Sequence, residues 1–426
     1  MIDDELQVLG EKRKLSKHDR WRICFVLLVI VVTLGIGFLW FLYPQQPIIA
    51  EKEKGDSTIV PELQAAVDSL LDAELTEING LQGQVIVMEV QTGEILAMAG
   101  LERKFEGKYQ PCLNFAYQQE LGSLMKTASL LVALETGKAN LSDVVDVEEG
   151  VWDVGNDWLM KDHNWRRGGY GKITLDRALG VCSNIGISKT IWKLFKGHEQ
   201  DYFRMLDSMS FGQPSSINGI DSLHPSVYDS PKDSKWVNID LLWSSIGYNR
   251  KIAPIQMLTF YNAIANNGKM VKPTLIVGET EVINPHIASN KNIVKIQTAL
   301  EHVVSQGLGK KAGTQLLRVA GIPSTSQVGE FYFGEETSVT EYQIGFCGYF
   351  PADKPKYSMI VSMNKLGLPA SGGGMAGPVF HDIMEWMITH DLLPLLIIDD
   401  ETNDTIQITE STLNKAYEIL NRQDNE

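Results

Sequence analysis

The hydrophobic pattern changes period several times along the 426 residues. From Ile23 to Tyr43 the run ICFVLLVIVVTLGIGFLWFLY carries no charge. At about 1.5 Å per residue it is long enough to cross a hydrocarbon core of about 30 Å. Lys12, Arg13, Lys14, Lys17, Arg20 and Arg22 precede it, and its far flank opens with PQQP and mixed charges. The positive-inside bias therefore places the N-terminus in the cytoplasm. The run exceeds a typical signal-peptide core and no small-x-small cleavage site follows it closely. The expectation is a single-pass anchor at 23–43 in the cytoplasmic (inner) membrane. A tail at 1–22 then lies inside, and the main domain is extracytoplasmic, or periplasmic.

Residues 44–79 read as a linker and a helix beside the domain, since PELQAAVDSLLDAEL puts Leu63, Val67, Leu70 and Leu71 on one helical face with Pro61 in the first turn. GQVIVMEVQTGEILAMAG alternates on both sides of Thr92-Gly93, which predicts a two-stranded hairpin. Helical spacing dominates from Gly122 to about Phe211, with Gly137 a stop signal for the helix that starts at Ser123. APIQMLTFYNAIANNG predicts another helix, and alternation returns in RVAGIPSTSQVGEFYF, EYQIGFCGYF and KYSMIVSMN. With strands at both ends and helices between, the expected fold is α+β: an antiparallel sheet with helices and an α-rich lobe over 80–390, with a cleft between the lobes. Residues 391–426 read as an acidic tail holding one loose, frayed helix.

Composition narrows the function. A net charge of -15 with no Lys/Arg cluster among aromatics argues against nucleic acid. Cys24, Cys112, Cys182 and Cys347 show no CxxC spacing, so neither a zinc site nor any other cofactor is expected. Three of them lie beyond the span, and that odd number leaves at least one free, buried thiol. His163, His224 and His381 are scattered and are assigned no chemistry.

The candidate chemistry lies in ELGSLMK. Ser123 follows a glycine at a helix start and Lys126 lies three residues on, which puts both side chains on one face at about 5 to 6 Å between Cβ atoms. A serine hydroxyl is a poor nucleophile, but a lysine made less basic by burial can take its proton, and the helix N-terminus stabilises a developing oxyanion. The pair suffices for acyl transfer.

The surroundings LNFAYQQELGSLMK, with the preceding hairpin, resemble the penicillin-binding protein transpeptidase domain, in which a hairpin, an N-x-A segment and an E-P-G-S-x-x-K turn run in this order. ITLDRALGVCSNIG is similar to the second motif region of the family, and IGYNRKIAPIQMLTFYNAIANNGKMVKPTLI and IGFCGYFPADKPKYSMIVSMN are similar to later segments. The resemblance covers roughly Gln84 to Ile388. It implies catalytic roles for Ser123, Lys126, Cys182 and Asn184, and substrate contacts from Ser183, Ser324 and Thr325. It also implies a serine-type D,D-transpeptidase that cross-links peptidoglycan stem peptides through an acyl-enzyme, binds β-lactams, and works beside a membrane glycan polymerase or a division or elongation protein.

Two positions depart from the pattern. Where the family has S-x-N this chain has Cys182, Ser183 and Asn184, and a thiol hydrogen-bonds weakly. Where the family has K-T-G before a strand this chain has Ile322, Pro323 and Ser324, followed by Thr325, which is implied to offer an oxyanion N–H. In the family that lysine contacts the start of the second motif and helps hold the substrate carboxylate, so both departures touch one network. Two readings stand side by side: a transpeptidase, or a catalytically degenerate domain that binds cell wall or division and elongation partners. Asp162, between Trp158 and Trp165, is expected to make a structural hydrogen bond. Gly372 to Gly374 are expected to form a flexible loop, and Arg318 is a candidate source for the missing charge.

Overall fold

Six antiparallel strands in the order β4-β5-β6-β1-β2-β3 make the central sheet: β1 (Gly80–Glu89), β2 (Ile95–Arg103), β3 (Tyr109–Pro111), β4 (Ala320–Tyr332), β5 (Ser338–Phe350) and β6 (Tyr357–Leu366). The two ends of the domain thus meet where β6 pairs with β1. The computed structural model describes residues 56–423 apart from 105–106, 156–157, 215, 218–222, 224–225, 229–230, 234, 333–337 and 400–403. The expected span at 23–43 and His224 lie outside the described residues, among which no helix is long and apolar enough to cross a membrane.

Alternation along β1 sorts side chains to two cores. Ile86 and Met88 pack with the helical lobe, while Val85 and Val87 pack with helices on the opposite face. On that opposite face lie α1 (Pro61–Glu77), which buries Leu63, Val67, Leu71 and Leu75 at i,i+4 spacing, and, labelled below in chain order, α9 (Gly377–Thr389) and α10 (Leu413–Gln423). The lobe holds α2 (Met125–Glu135), α3 (Leu175–Gly180), α4 (Asn184–Phe195), α5 (Glu199–Ser208), α6 (Asp240–Ser244), α7 (Pro254–Ala265) and α8 (Asn290–Ser305). Helix α2 is buried along its length and stops where predicted, with Gly137 in the left-handed region at φ 69°.

Two expectations are corrected. The stretch 122–211 is not wholly helical: Val151–Gly155 pairs with Trp158–Lys161 and Val144–Asp146 with Lys172–Thr174. Turns at Glu148, Gly150 and Gly155, all at positive φ, break the helical period there. The tail at 391–426 is not one loose helix. It forms a hairpin, Leu396–Asp399 with Asp404–Gln407, and then α10, whose Ala416 and Ile419 enter the core shared by α1 and α9. Helices α1 and α10 belong to the same compact unit as the sheet. Cys112, Cys182 and Cys347 are all free thiols, Cys112 and Cys347 buried.

Candidate active site

The nucleophile position is built by backbone crowding. Ser123 sits in a single 3-10 turn, Gly122–Leu124, that leads into α2. Gly122 has φ +53°, and a Cβ there would lie 2.7 Å from Ser326 Cβ on β4. Ser324 Oγ donates to the Leu121 carbonyl at 2.8 Å, a second tie between β4 and the turn. The helix start is thereby held against the edge strand.

Lys126 is 1% exposed, and its Nζ donates to Ser123 Oγ at 2.8 Å and to the Cys182 carbonyl at 2.6 Å. Burial pushes its pKa below the ordinary 10.5, opposed by the Cys182 thiol and the Asp162 carboxylate. An amine drawn toward neutrality beside a serine hydroxyl is placed to accept its proton.

Asp162, 1% exposed, organises the next wall: its Oδ2 accepts from Ser183 Oγ at 2.6 Å and its Oδ1 from the Ile185 N–H at 3.1 Å. Ser183 Oγ in turn accepts from the Gly186 N–H at 2.9 Å, the N-cap of α4. Cys182 therefore turns outward in the left-handed region at φ 49°, its thiol 3.7 Å from the Pro323 carbonyl and burial lifting its pKa to about 11. Asn184 Nδ2 donates to the Lys161 carbonyl at 2.8 Å.

A cavity of about 460 Å³ gathers Ser123, Lys126, Cys182, Asn184 and Thr325. Ser183 and Ser324, expected to touch substrate, do not line it. Both are buried, Ser183 as the helix cap and Ser324 on the Leu121 carbonyl. Strand periodicity explains the split on β4. Pro323 and Thr325 face the cavity, while Ile322, fully buried, lies in the core with Cys347 and Ile360. Proline is accommodated because β4 is an edge strand.

Four polar lining residues were assigned no role from the sequence: His163, Lys310, Lys311 and Ser371. His163 accepts or donates at Nε2 with Tyr170 Oη at 3.1 Å, and burial lowers its pKa. Gly372 to Gly374 are not a flexible loop. They begin a π-helical turn wedged against backbone, where a Cβ on Gly372 would lie 2.0 Å from the Ser324 carbonyl oxygen. Arg318 faces a different cavity of about 710 Å³ and pairs with Glu301 at 3.2 Å.

Several known proteins are similar to this chain. The chain is 25% identical over 362 residues to stage V sporulation protein D of Bacillus subtilis, covering 79% of this chain and 53% of that protein. It is 24% identical over 375 residues to peptidoglycan D,D-transpeptidase MrdA of Acinetobacter baumannii, covering 77% of this chain and 54% of that protein. The chain thus spans about half the length of the curated relatives it matches. The fold is similar to that of a peptidoglycan glycosyltransferase from Burkholderia ambifaria, with a TM-score of 0.67 at 22% identity over 80% of this chain and 99% of that one. It is also similar to the transpeptidase domain of penicillin-binding protein 3 from Burkholderia pseudomallei, with a TM-score of 0.65 at 22% identity over 80% and 98% of the two chains. The family model for the penicillin binding protein transpeptidase domain matches residues 83–385, and the chain belongs to that family.

Proposed function

We propose that this chain is a membrane-anchored peptidoglycan D,D-transpeptidase that works through an acyl-enzyme on Ser123. The observation that carries the reading is the buried Lys126 amine 2.8 Å from Ser123 Oγ on the wall of a ligand-sized cavity. In this reading neutral Lys126 takes the hydroxyl proton as Ser123 Oγ bonds to the penultimate D-Ala carbonyl of a stem peptide. The Thr325 N–H and the N-terminal end of α2 stabilise the oxyanion. Collapse breaks the peptide bond, and the proton on Lys126 passes to the departing D-Ala amine. A neighbouring stem amine then attacks the ester, gives up a proton through Lys126 and restores Ser123. Asn184 orients the substrate amide.

The segment 23–43 anchors the chain with the domain outside the cytoplasmic membrane, and a membrane glycan polymerase or a division or elongation protein supplies the strands. Co-purification that recovers no such polymerase would count against that partner. A second reading, a non-catalytic scaffold, is favoured by one feature: Ile322, fully buried, presents no cation, and Cys182 stands beside it in the network.

Fluorescent penicillin separates the two. Covalent labelling of the chain that is lost in Ser123→Ala supports the transpeptidase. A folded chain that stays unlabelled at high penicillin and long times supports the scaffold.

A further inference from the structure

The helical lobe buries a cation that has no acceptor. Arg250 is 3% exposed, and among the described residues its Nε, Nη1 and Nη2 atoms have no hydrogen-bond partner. Neutral amides such as Gln84 and Asn114 also keep buried unpaired atoms, but Arg250 is the one charged side chain among the described residues that does. A guanidinium holds its proton throughout the physiological range, so burial cannot neutralise it as it draws Lys126 toward neutrality. An unpaired buried charge is costly, and something has to answer it.

Two aromatic faces answer part of it. The guanidinium carbon stands 4.1 Å from the ring centroid of Tyr228 and 5.0 Å from that of Phe211. Ring faces attract the charge but give its N–H groups no lone pair to bond. Asp207 is the carboxylate whose charge acts on Arg250, yet it is exposed and accepts from Tyr228 Oη at 3.5 Å instead.

The backbone turns this side chain toward the nucleophile turn. Arg250–Lys251 pairs with Val227–Tyr228, and on the other side Ile252 exchanges backbone hydrogen bonds with Gln119 at 3.0 and 3.2 Å. Lys251 is exposed while Arg250 and Ile252 are buried, so alternation sends both of the latter inward. On that inner side Arg250 and Ile252 border a small cavity with Leu121, Gly122, Met125 on α2 and Met257 on α7. No Asp or Glu lines it, and its volume of about 10 Å³ has room for one particle of about water size. A carboxylate or a phosphate group is too large to enter.

We propose that this cavity is a binding site for a monatomic anion, chloride in physiological media, held by Arg250 beside Gly122, the residue that precedes Ser123. A water molecule could fill the space and accept from the guanidinium, but it would leave the charge uncancelled. A halide supplies both the acceptor and the opposite charge, and it tolerates the leucine, isoleucine and methionine walls because it has no directional bonds to satisfy. The site answers a charge of the fold itself, so it stands whether or not Ser123 turns over.

The test is the melting temperature of the full-length chain in detergent, in sodium chloride, sodium bromide and sodium gluconate at matched ionic strength. Matching holds charge screening constant, and gluconate is too large for the cavity. Native protein should melt a few degrees higher in either halide than in gluconate, and the midpoint should climb with halide concentration, as binding to the native state alone requires. Arg250→Met, close in length and uncharged, should lose the difference. Crystals of native protein grown in bromide give a readout that needs no variant: anomalous scattering should appear in the cavity, in contact with Arg250. Equal melting in halide and gluconate, a halide effect that survives in Arg250→Met, a cavity holding only water, or a direct Arg250–Asp207 ion pair in those crystals overturns the site.

Discussion

Replacing Asp162 tests whether the α4 wall of the cavity is held by one carboxylate. In Asp162→Ala the Ser183 hydroxyl loses its acceptor at 2.6 Å and the buried Ile185 N–H loses its acceptor at 3.1 Å. Hydrogen bonds to a charged partner contribute about 1.5–3 kcal/mol each, and the two share one group, so they do not add fully. Part is offset because a buried carboxylate no longer has to be desolvated. The expected cost is about 2–4 kcal/mol, or a few degrees in Tm for a chain of this size. Asp162→Asn keeps an acceptor for Ile185 but can only donate toward Ser183, and should cost about 1–2 kcal/mol.

The same substitution reaches the chemistry. The Asp162 charge opposes the fall in the Lys126 pKa that burial produces. Removing it lets that pKa fall further, so the inflection of penicillin acylation against pH should move to lower pH in Asp162→Asn. Denaturant melts and acylation rates measured from pH 5 to pH 10 read both effects. An alanine variant within about 0.5 kcal/mol of native would refute the wall argument. An unmoved inflection in the asparagine variant would refute the electrostatic one.

Three further outcomes follow from the geometry. Acylation should rise with pH through an inflection below 10.5, the ordinary lysine value, and Lys126→Arg, whose guanidinium keeps its proton, should lower the rate by about two to four decades. Gly122→Ala places a Cβ 2.7 Å from Ser326 Cβ at φ +53°; left-handed backbone and overpacking together should cost about 2–4 kcal/mol in denaturant melts, and a native-like midpoint would contradict the crowding. Glu74, raised from 4.5 to about 7 by burial and by Glu77 and Asp382, keeps in the native state a proton that the unfolded chain releases. Stability should therefore fall as pH rises from 4.5 to 7, and Glu74→Gln should gain on the order of 1 kcal/mol at pH 8, after allowance for solvent screening, and almost nothing at pH 4.

The parts of the fold that could be read along the chain are those with long, regular periods. Strands β1, β5 and β6 each carry a run of apolar residues, and α1 repeats its buried positions every four residues. The ribbon at 151–161 escaped because its apolar residues do not mark a buried face: Trp158 is 59% exposed and Leu159 49%. The tail escaped because its charges dominate its composition, while scattered apolar residues, among them Leu393, Ile397, Ile408, Ala416 and Ile419, carry its packing. Ser123 and Lys126 were legible because a separation of three residues across a helix start fixes their proximity. Ser183 misled because its neighbour Asn184 does face the cavity; only Asp162, brought in by another element, shows that the Ser183 hydroxyl turns inward.

Electrostatics explains why β4 presents no cation to the Ser123 cavity, while the exposed turn at 310–311 carries lysines. The register of β4 fixes Pro323 and Thr325 toward the cavity and Ile322 and Ser324 toward the interior, because side chains alternate and a one-residue slip would reverse the whole strand. A lysine at 322 would start from a fully buried position among Cys347 and Ile360, and an unpaired ammonium there would cost several kcal/mol or give up its proton. Lysines at 310 and 311 remain in water, so the charge is present at almost no desolvation cost. The backbone of that turn is held by the Leu308 and Gly309 hydrogen bonds. None of this is visible in a one-dimensional motif, because residues 310–311, 325 and 371 become neighbours of Ser123 only when separate segments meet.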